Sequence, residues 1–455
     1  MTSFTDREND ELLSYVKYLT GCRVVPIEPL ETSVGELQAL AARKKTPLKT
    51  AAEAILLNDM FASFLCSGDS GYVIATSGGF GADGKYHIVG AGNTGKKGVR
   101  RPSDELCAVL AQACTKFISS VNPDDLSAIH VASLDICHAE VARRLTSIST
   151  GAKFIVPAAS NMGILDEWEL RLHSEFRSDV AVLKRSLKTW NKLESPEKTK
   201  VATQYGQLLE IAAEIWDRMK DSKFTLSRLQ LKYIDELNTI AKGLQLLRRF
   251  PRGTRVVIDW PQGRINGDQS RCQPANARTA SWHTVIEDFI NNSTIGHHEL
   301  QNKMRRRWKE AVGEKQWEKA ILHTECQLHC EIYLALYILF SKSNIHFHSF
   351  LIEERKRIFT IGCSKESCIN CWDILLGLFR QDSRNHPIYV CRTRRSHGKC
   401  YATWGLTPHI ETLPPSLRQA ITGPEQTQML KCLNDTLKCS HQKFKQRVVS
   451  ETLRQ

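Results

Sequence analysis

Residues 357–371 read RIFTIGCSKESCINC, and this run decides the fold. Ile358, Phe359 and Ile361 predict a strand over Arg357–Gly362. Ser364-Lys365 makes a turn, and a helix is expected from about Cys368 to Phe379. A strand feeding a helix in this way builds a mostly parallel or mixed sheet with helices packed on it. Sites in such sheets collect at the strand-to-helix turn. Cys368 and Cys371 lie three apart at the predicted helix start, so both thiols can face one way. The positive end of the helix favours the thiolate, the form a metal takes up. Cys363 offers a third thiol in a C-x4-C-x2-C spacing and is expected at the strand end as a packing residue.

Upstream, His323-Thr324-Glu325 sits in ILHTECQL, 45 positions before Cys368. One imidazole and two thiolates are the protein ligands of a zinc site that keeps its fourth position open. A nearby carboxylate, here Glu325, is what a metal-assisted hydrolytic deamination needs to move protons. Residues two apart on a regular helix are separated by about 200°. The pair can therefore serve one centre only if the His lies at the first turn of its helix, which is expected over about Trp317–Phe340. His138-Ala139-Glu140 in DICHAEVARRL has the same spacing, but no CxxC follows it until Cys368. It is expected to be part of an ordinary amphipathic helix. A rival reading is a closed structural zinc site, with Cys363, Cys326 or Cys330 as fourth ligand.

The composition fits a soluble globular chain: 455 residues, 42% hydrophobic and 24% charged. MTSFTDRENDELL is too charged for a secretory leader, and the apolar run Ile332–Phe340 is too short to span a bilayer. No membrane association is therefore expected. Fifteen cysteines without a leader suggest reduced thiols inside the cell, in cytoplasm or nucleus. Cys22, Cys66, Cys107, Cys114 and Cys137 read as small buried apolar groups. The net charge of +13 favours anionic partners. Two basic clusters bracket the motifs: residues 303–309, KMRRRWK, and a stretch from Ser383 to Ile410 with no acidic residue. Both suit a phosphate-bearing substrate.

Towards the N-terminus, residues 33–66 have helical spacing. The segments Tyr72–Thr76 and Lys85–Gly90 flank Asp83-Gly84, a hairpin signal. From about 102 to 250 the pattern is helical, followed by a strand candidate at Arg255–Asp259 and a loop over Pro261–Ala280. A strand around Ile388–Cys391 and a last helix over about 425–447 complete the chain.

HTECQL, a strand into IGCSKESCINCW, and a basic strand ending in SHGKCYATWGLTP together resemble a known family. It is the zinc deaminase family of fungal proteins and bacterial toxin-like domains, within the nucleotide and nucleic-acid deaminase superfamily. The resemblance covers roughly 315–410, with Ser367 where the wider superfamily has Pro. It implies an α/β (α+β) fold, a cytidine-deaminase-like three-layer sheet with helices plus a large, mainly helical insert. It makes His323, Cys368 and Cys371 the ligands of Zn2+ and Glu325 the proton shuttle. Asn93 and Trp404 become candidate substrate contacts, with a turn Asn and a buried aromatic as their plainer readings. The expected domains are an N-terminal helical region (1–50), a first helix and hairpin (51–95), a helical insert (96–300), the zinc-binding core (301–410) and a helical tail (411–455). The implied activity is hydrolysis of a C–N bond in the cyclic amidine of a nucleobase, carried by a nucleoside, a nucleotide or a nucleic acid. The competing expectation is a catalytically inactive, zinc-stabilised effector that binds nucleic acid or protein. Oligomeric state is not set by the sequence.

Overall fold

In the computed structural model, described residues fall mainly in 50–67, 73–92, 101–150, 167–219, 228–260, 329–340, 350–365 and 388–393, with shorter pieces between them. The first helix, α1 (Ala51–Phe64), starts at Thr50, whose hydroxyl accepts from the Glu53 amide at 3.1 Å. That bond satisfies one of the amides every helix start leaves open. From Leu57 to Cys66 each residue of this segment is buried, Asn58 and Asp59 included. A helix apolar on nearly all sides must be packed on all sides, and α1 lies against both a sheet and a helix.

The hairpin follows. β1 (Ile74–Phe80) and β2 (Tyr86–Gly92) pair antiparallel from Ile74↔Gly92 to Phe80↔Tyr86. The turn closes where Gly84 takes a φ of 75°, a left-handed conformation that glycine adopts without steric cost. Five long helices come next: α2 (Asp104–Ser119), α3 (Pro123–Thr150), α4 (Glu167–Lys188), α5 (Ser195–Met219) and α6 (Arg228–Leu247). Their buried stripes merge with α1, β1 and β2 into one core, with Trp190, Tyr205 and Phe176 among its largest enclosed side chains. Cys66, Cys107, Cys114 and Cys137 are buried in it as expected. Cys22 lies outside the described residues.

β3 (Val256–Asp259) runs parallel to β2, because a helical excursion of this length brings the chain back in the same direction. Two-residue strands β4 (Arg271–Cys272) and β5 (Cys326–Gln327) pair with each other. The helix expected over 317–340 is shorter than that: β5 falls inside the range, and α7 begins only at Cys330 and ends at Phe340. The apolar run from Ile332 fixes the helix, while Cys326-Gln327 is drawn into an extended pair with β4.

β6 (Phe350–Glu353), β7 (Lys356–Thr360) and β9 (Ile388–Arg392) form a three-stranded sheet in the order β6-β7-β9. The chain leaves β7 at Thr360 and enters β8 (Gly362–Cys363), which joins the other sheet beside β1. That sheet has the order β3-β2-β1-β8 and mixes parallel with antiparallel neighbours. The result is a mixed α+β fold, dominated by helices among the described residues. The helix expected over 425–447 and residues 33–47 lie outside the described residues. Among those described, no helix is long and apolar enough to cross a membrane.

Candidate metal centre

The site is built on α7 and on the turn after β8. His329 immediately precedes α7, and its carbonyl accepts the Tyr333 amide at 3.1 Å, so it stands at the helix cap. A cap residue is not bound by helical geometry, and the roughly 200° between residues two apart does not apply to it. His329 and Glu331, the second residue of α7, can therefore face one point. The acidic side chain also suits the positive end of the helix. Packing of α7 against β1 and β2 fixes the direction in which this end points.

The turn brings Cys371 to the same place. Its Sγ lies 3.4 Å from His329 Nδ1 and 4.0 Å from Glu331 Oε2. Candidate ligand atoms of His329, Glu331 and Cys371 all fall within 4.8 Å of one another, and all three residues are buried. This donor set could hold a metal ion. The Cys330 thiol donates to Glu331 Oε2 at 3.4 Å. Burial, and then the Glu331 charge, push that thiol well above its usual range, so it stays protonated as a donor. Cys363 is half-buried at the end of β8, its sulfur 3.7 Å from Ser367 Oγ.

The turn is itself tied down by hydrogen bonds. Ser364 donates its amide to the Ile74 carbonyl at 2.8 Å and accepts the Ile74 amide on Oγ at 2.9 Å. Asp59 Oδ1 accepts the Cys363 amide at 2.7 Å. Asn58 donates Nδ2 to both oxygens of Thr360 at 2.9 and 3.1 Å. Apart from half-buried Cys363 these residues are buried, where a lost partner costs more than the bond itself contributes.

Of the residues singled out in the sequence, Cys371 lies in this cluster, while His323, Glu325, Cys368, Asn93 and Trp404 lie outside the described residues. The imidazole and carboxylate beside Cys371 belong to His329-Cys330-Glu331, another HxE six residues after His323. Its signal in the sequence is position: it stands directly before the apolar run from Ile332, where a helix must start. His138 and Glu140 lie within α3. His138 Nδ1 is 3.0 Å from the Leu134 carbonyl and its ring stacks on Trp190, while Glu140 is taken up by Arg143 and Arg144. Arg305, in the basic run before the site, is paired with Glu287 at 2.6 and 2.7 Å.

A groove of about 560 Å³ between α2 and β3 is lined by Lys85, Arg101, Asp104, Arg255 and Trp260, among others, and shares no residue with the His329 cluster. It holds no imidazole or thiol.

Comparison with known families meets this geometry at the same place. The family model described as OTT_1508_deam:-like deaminase matches residues 328–409. Residues 328–409 are thus similar to a deaminase family. The matched span begins one residue before His329 and contains Glu331, Cys368, Cys371 and Trp404; His323, Glu325 and Asn93 precede it. No curated protein and no solved structure matches the chain significantly. The deaminase segment is thus recognised by its own sequence, and the other parts of the chain rest on the fold described above.

Proposed function

We propose that the chain is a zinc-dependent hydrolytic deaminase acting on the amino group of a nucleobase. The observation that carries this reading is the convergence of His329, Glu331 and Cys371 inside a deaminase-family segment. The donor chemistry suits zinc. A tetrahedral ion with ordinary Zn–N and Zn–S bonds sets nitrogen and sulfur ~3.6 Å apart, and His329 Nδ1 and Cys371 Sγ are 3.4 Å apart. His329, Cys371 and Cys368, three residues before Cys371 in the sequence, would hold the ion. When bound, zinc supplies Lewis acidity that brings a water pKa from about 15.7 to about 7.

The chain's own residues then account for the proton traffic. Glu331 accepts a proton from water as oxygen attacks the amino-bearing ring carbon, and returns it to the departing nitrogen, which leaves as ammonia. The Cys330 thiol, donating to the same carboxylate, orients it. Asn93 and Trp404 are the proposed contacts to the base. The catalytic unit is proposed to be split: α1, β1 and β2 on one side of the helical region, α7 to β9 on the other, joined where β1 pairs with β8.

Glu331→Gln is the test. It should keep its zinc and lose at least about 100-fold in ammonia release, the scale of a missing acid–base group, in a screen over bases, nucleosides and oligonucleotides. Unchanged ammonia release in the variant would end this reading. Wild-type protein that holds zinc and releases no ammonia from any of these would favour the binding-effector alternative.

A further inference from the structure

A buried guanidinium links the helices between the hairpin and the deaminase segment to the turn after β8. Arg144, on α3, is 3% exposed. Its Nη2 donates to the Ser364 carbonyl at 3.0 Å, across 220 residues of sequence. Its Nε donates to Glu140 Oε1 at 3.0 Å and lies 3.3 Å from Glu236 Oε2 on α6. Burial works against a charged guanidinium, but Glu236 and then Glu140 hold Arg144 in its charged form. An uncompensated arginine at this depth would be costly, and two carboxylates from two helices supply the compensation.

The third contact is the informative one. Ser364 has its amide and hydroxyl bound to Ile74 and its carbonyl bound to Arg144. Every polar group of that residue is thus fixed, four positions before Cys368 and seven before Cys371. An ion pair needed only for the helical core would not have to send a donor out to the turn that carries the thiols.

We propose that Arg144 is a positioning residue for the metal centre, through which α3 and α6 hold the cysteine turn in its ligand-presenting conformation. The inference rests on the metal reading above. It gives the helical region a role in the site without contact to substrate or metal, and groups of this kind set metal affinity by orienting the ligands.

The test uses full-length protein. Arg144→Lys keeps the charge between Glu140 and Glu236 but loses the planar fork that also reaches Ser364. The double variant Arg144→Met/Glu140→Gln removes the donor together with one of its balancing charges, should the lysine perturb folding. Two quantities are read: amide hydrogen exchange across 361–371 in metal-free protein, and zinc transfer to a chromogenic chelator. Exchange in that segment should rise in both variants, and zinc should leave about 10- to 100-fold faster, the range for groups that orient ligands, while melting stays cooperative. The cobalt-substituted protein should show an altered d–d spectrum in the variants. Wild-type exchange and zinc release in both variants would overturn the proposal and leave Arg144 as a core ion pair. Wild-type protein that takes up no zinc would instead overturn the metal reading, and unchanged exchange in the same metal-free samples would separately dismiss the hold on the turn.

Discussion

His130 on α3 is 2% exposed, with its ring edge-on to Tyr205 on α5 at 5.6 Å. Burial pulls its pKa from 6.5 down to about 4, outweighing the hydrogen bond its ring donates to the Ala202 backbone, which pulls the other way. The folded protein keeps this imidazole neutral at pH 5, while the unfolded chain protonates it. Unfolding therefore takes up a proton between pH 6.5 and about 4, and stability falls as pH falls through that window. From pH 7 to pH 5 the loss due to His130 should be about 2 kcal/mol. Urea denaturation of wild type and His130→Leu at the two pH values checks this, the variant losing less on acidification; equal losses would mean that the ring is not buried and neutral. Single residues were the least legible level of this chain. The H-x-E spacing recurs, and spacing alone cannot say which imidazole caps a helix. His138 lies in mid-helix with its ring on Trp190, whereas His329 stands at a cap with Glu331 beside Cys371. Buried charge balance, as at Arg144 between Glu140 and Glu236, leaves no pattern in the sequence at all.

Elements were more legible because periodicity and turn chemistry are local. The hairpin around Asp83-Gly84, the helices of the middle region and the strands near 256, 357 and 388 all follow from such signals. A local pattern does not place the start of α7, because the pairing that makes Cys326-Gln327 extended is with residues 271–272. Gly362 belongs at this scale. A Cβ there would lie 2.2 Å from the Asp59 nitrogen and 2.3 Å from the Asn58 carbonyl carbon. Backbone atoms cannot step aside as a side-chain tip can, so β8 could not keep its place against α1. Gly362→Ala should cost about 2–3 kcal/mol. Gly84→Ala, where nothing lies within 4 Å and only the left-handed backbone resists, should cost about 1–2 kcal/mol. Chemical denaturation of the two variants gives the comparison, and a Gly362→Ala protein as stable as wild type would refute this close approach.

Across the whole molecule, the candidate centre is assembled from parts that the sequence keeps far apart. α1 and β1 come from the first hundred residues, Arg144 from the helical region, and His329, Glu331 and Cys371 from the deaminase-family segment. The pairing of β1 with β8 and the bonds from Asn58 and Asp59 to Thr360 and Cys363 close this assembly. In this assembly His329 stands beside the Cys371 thiol, and the proposed function selects it, rather than His323, as the ligand. The metal content of purified full-length protein addresses that selection most directly, compared among wild type, His329→Ala and His323→Ala. The account predicts about one zinc per chain in wild type and in His323→Ala, with loss of the ion in His329→Ala, since removing one of three protein ligands opens the site. Zinc retained by His329→Ala and lost from His323→Ala would contradict it.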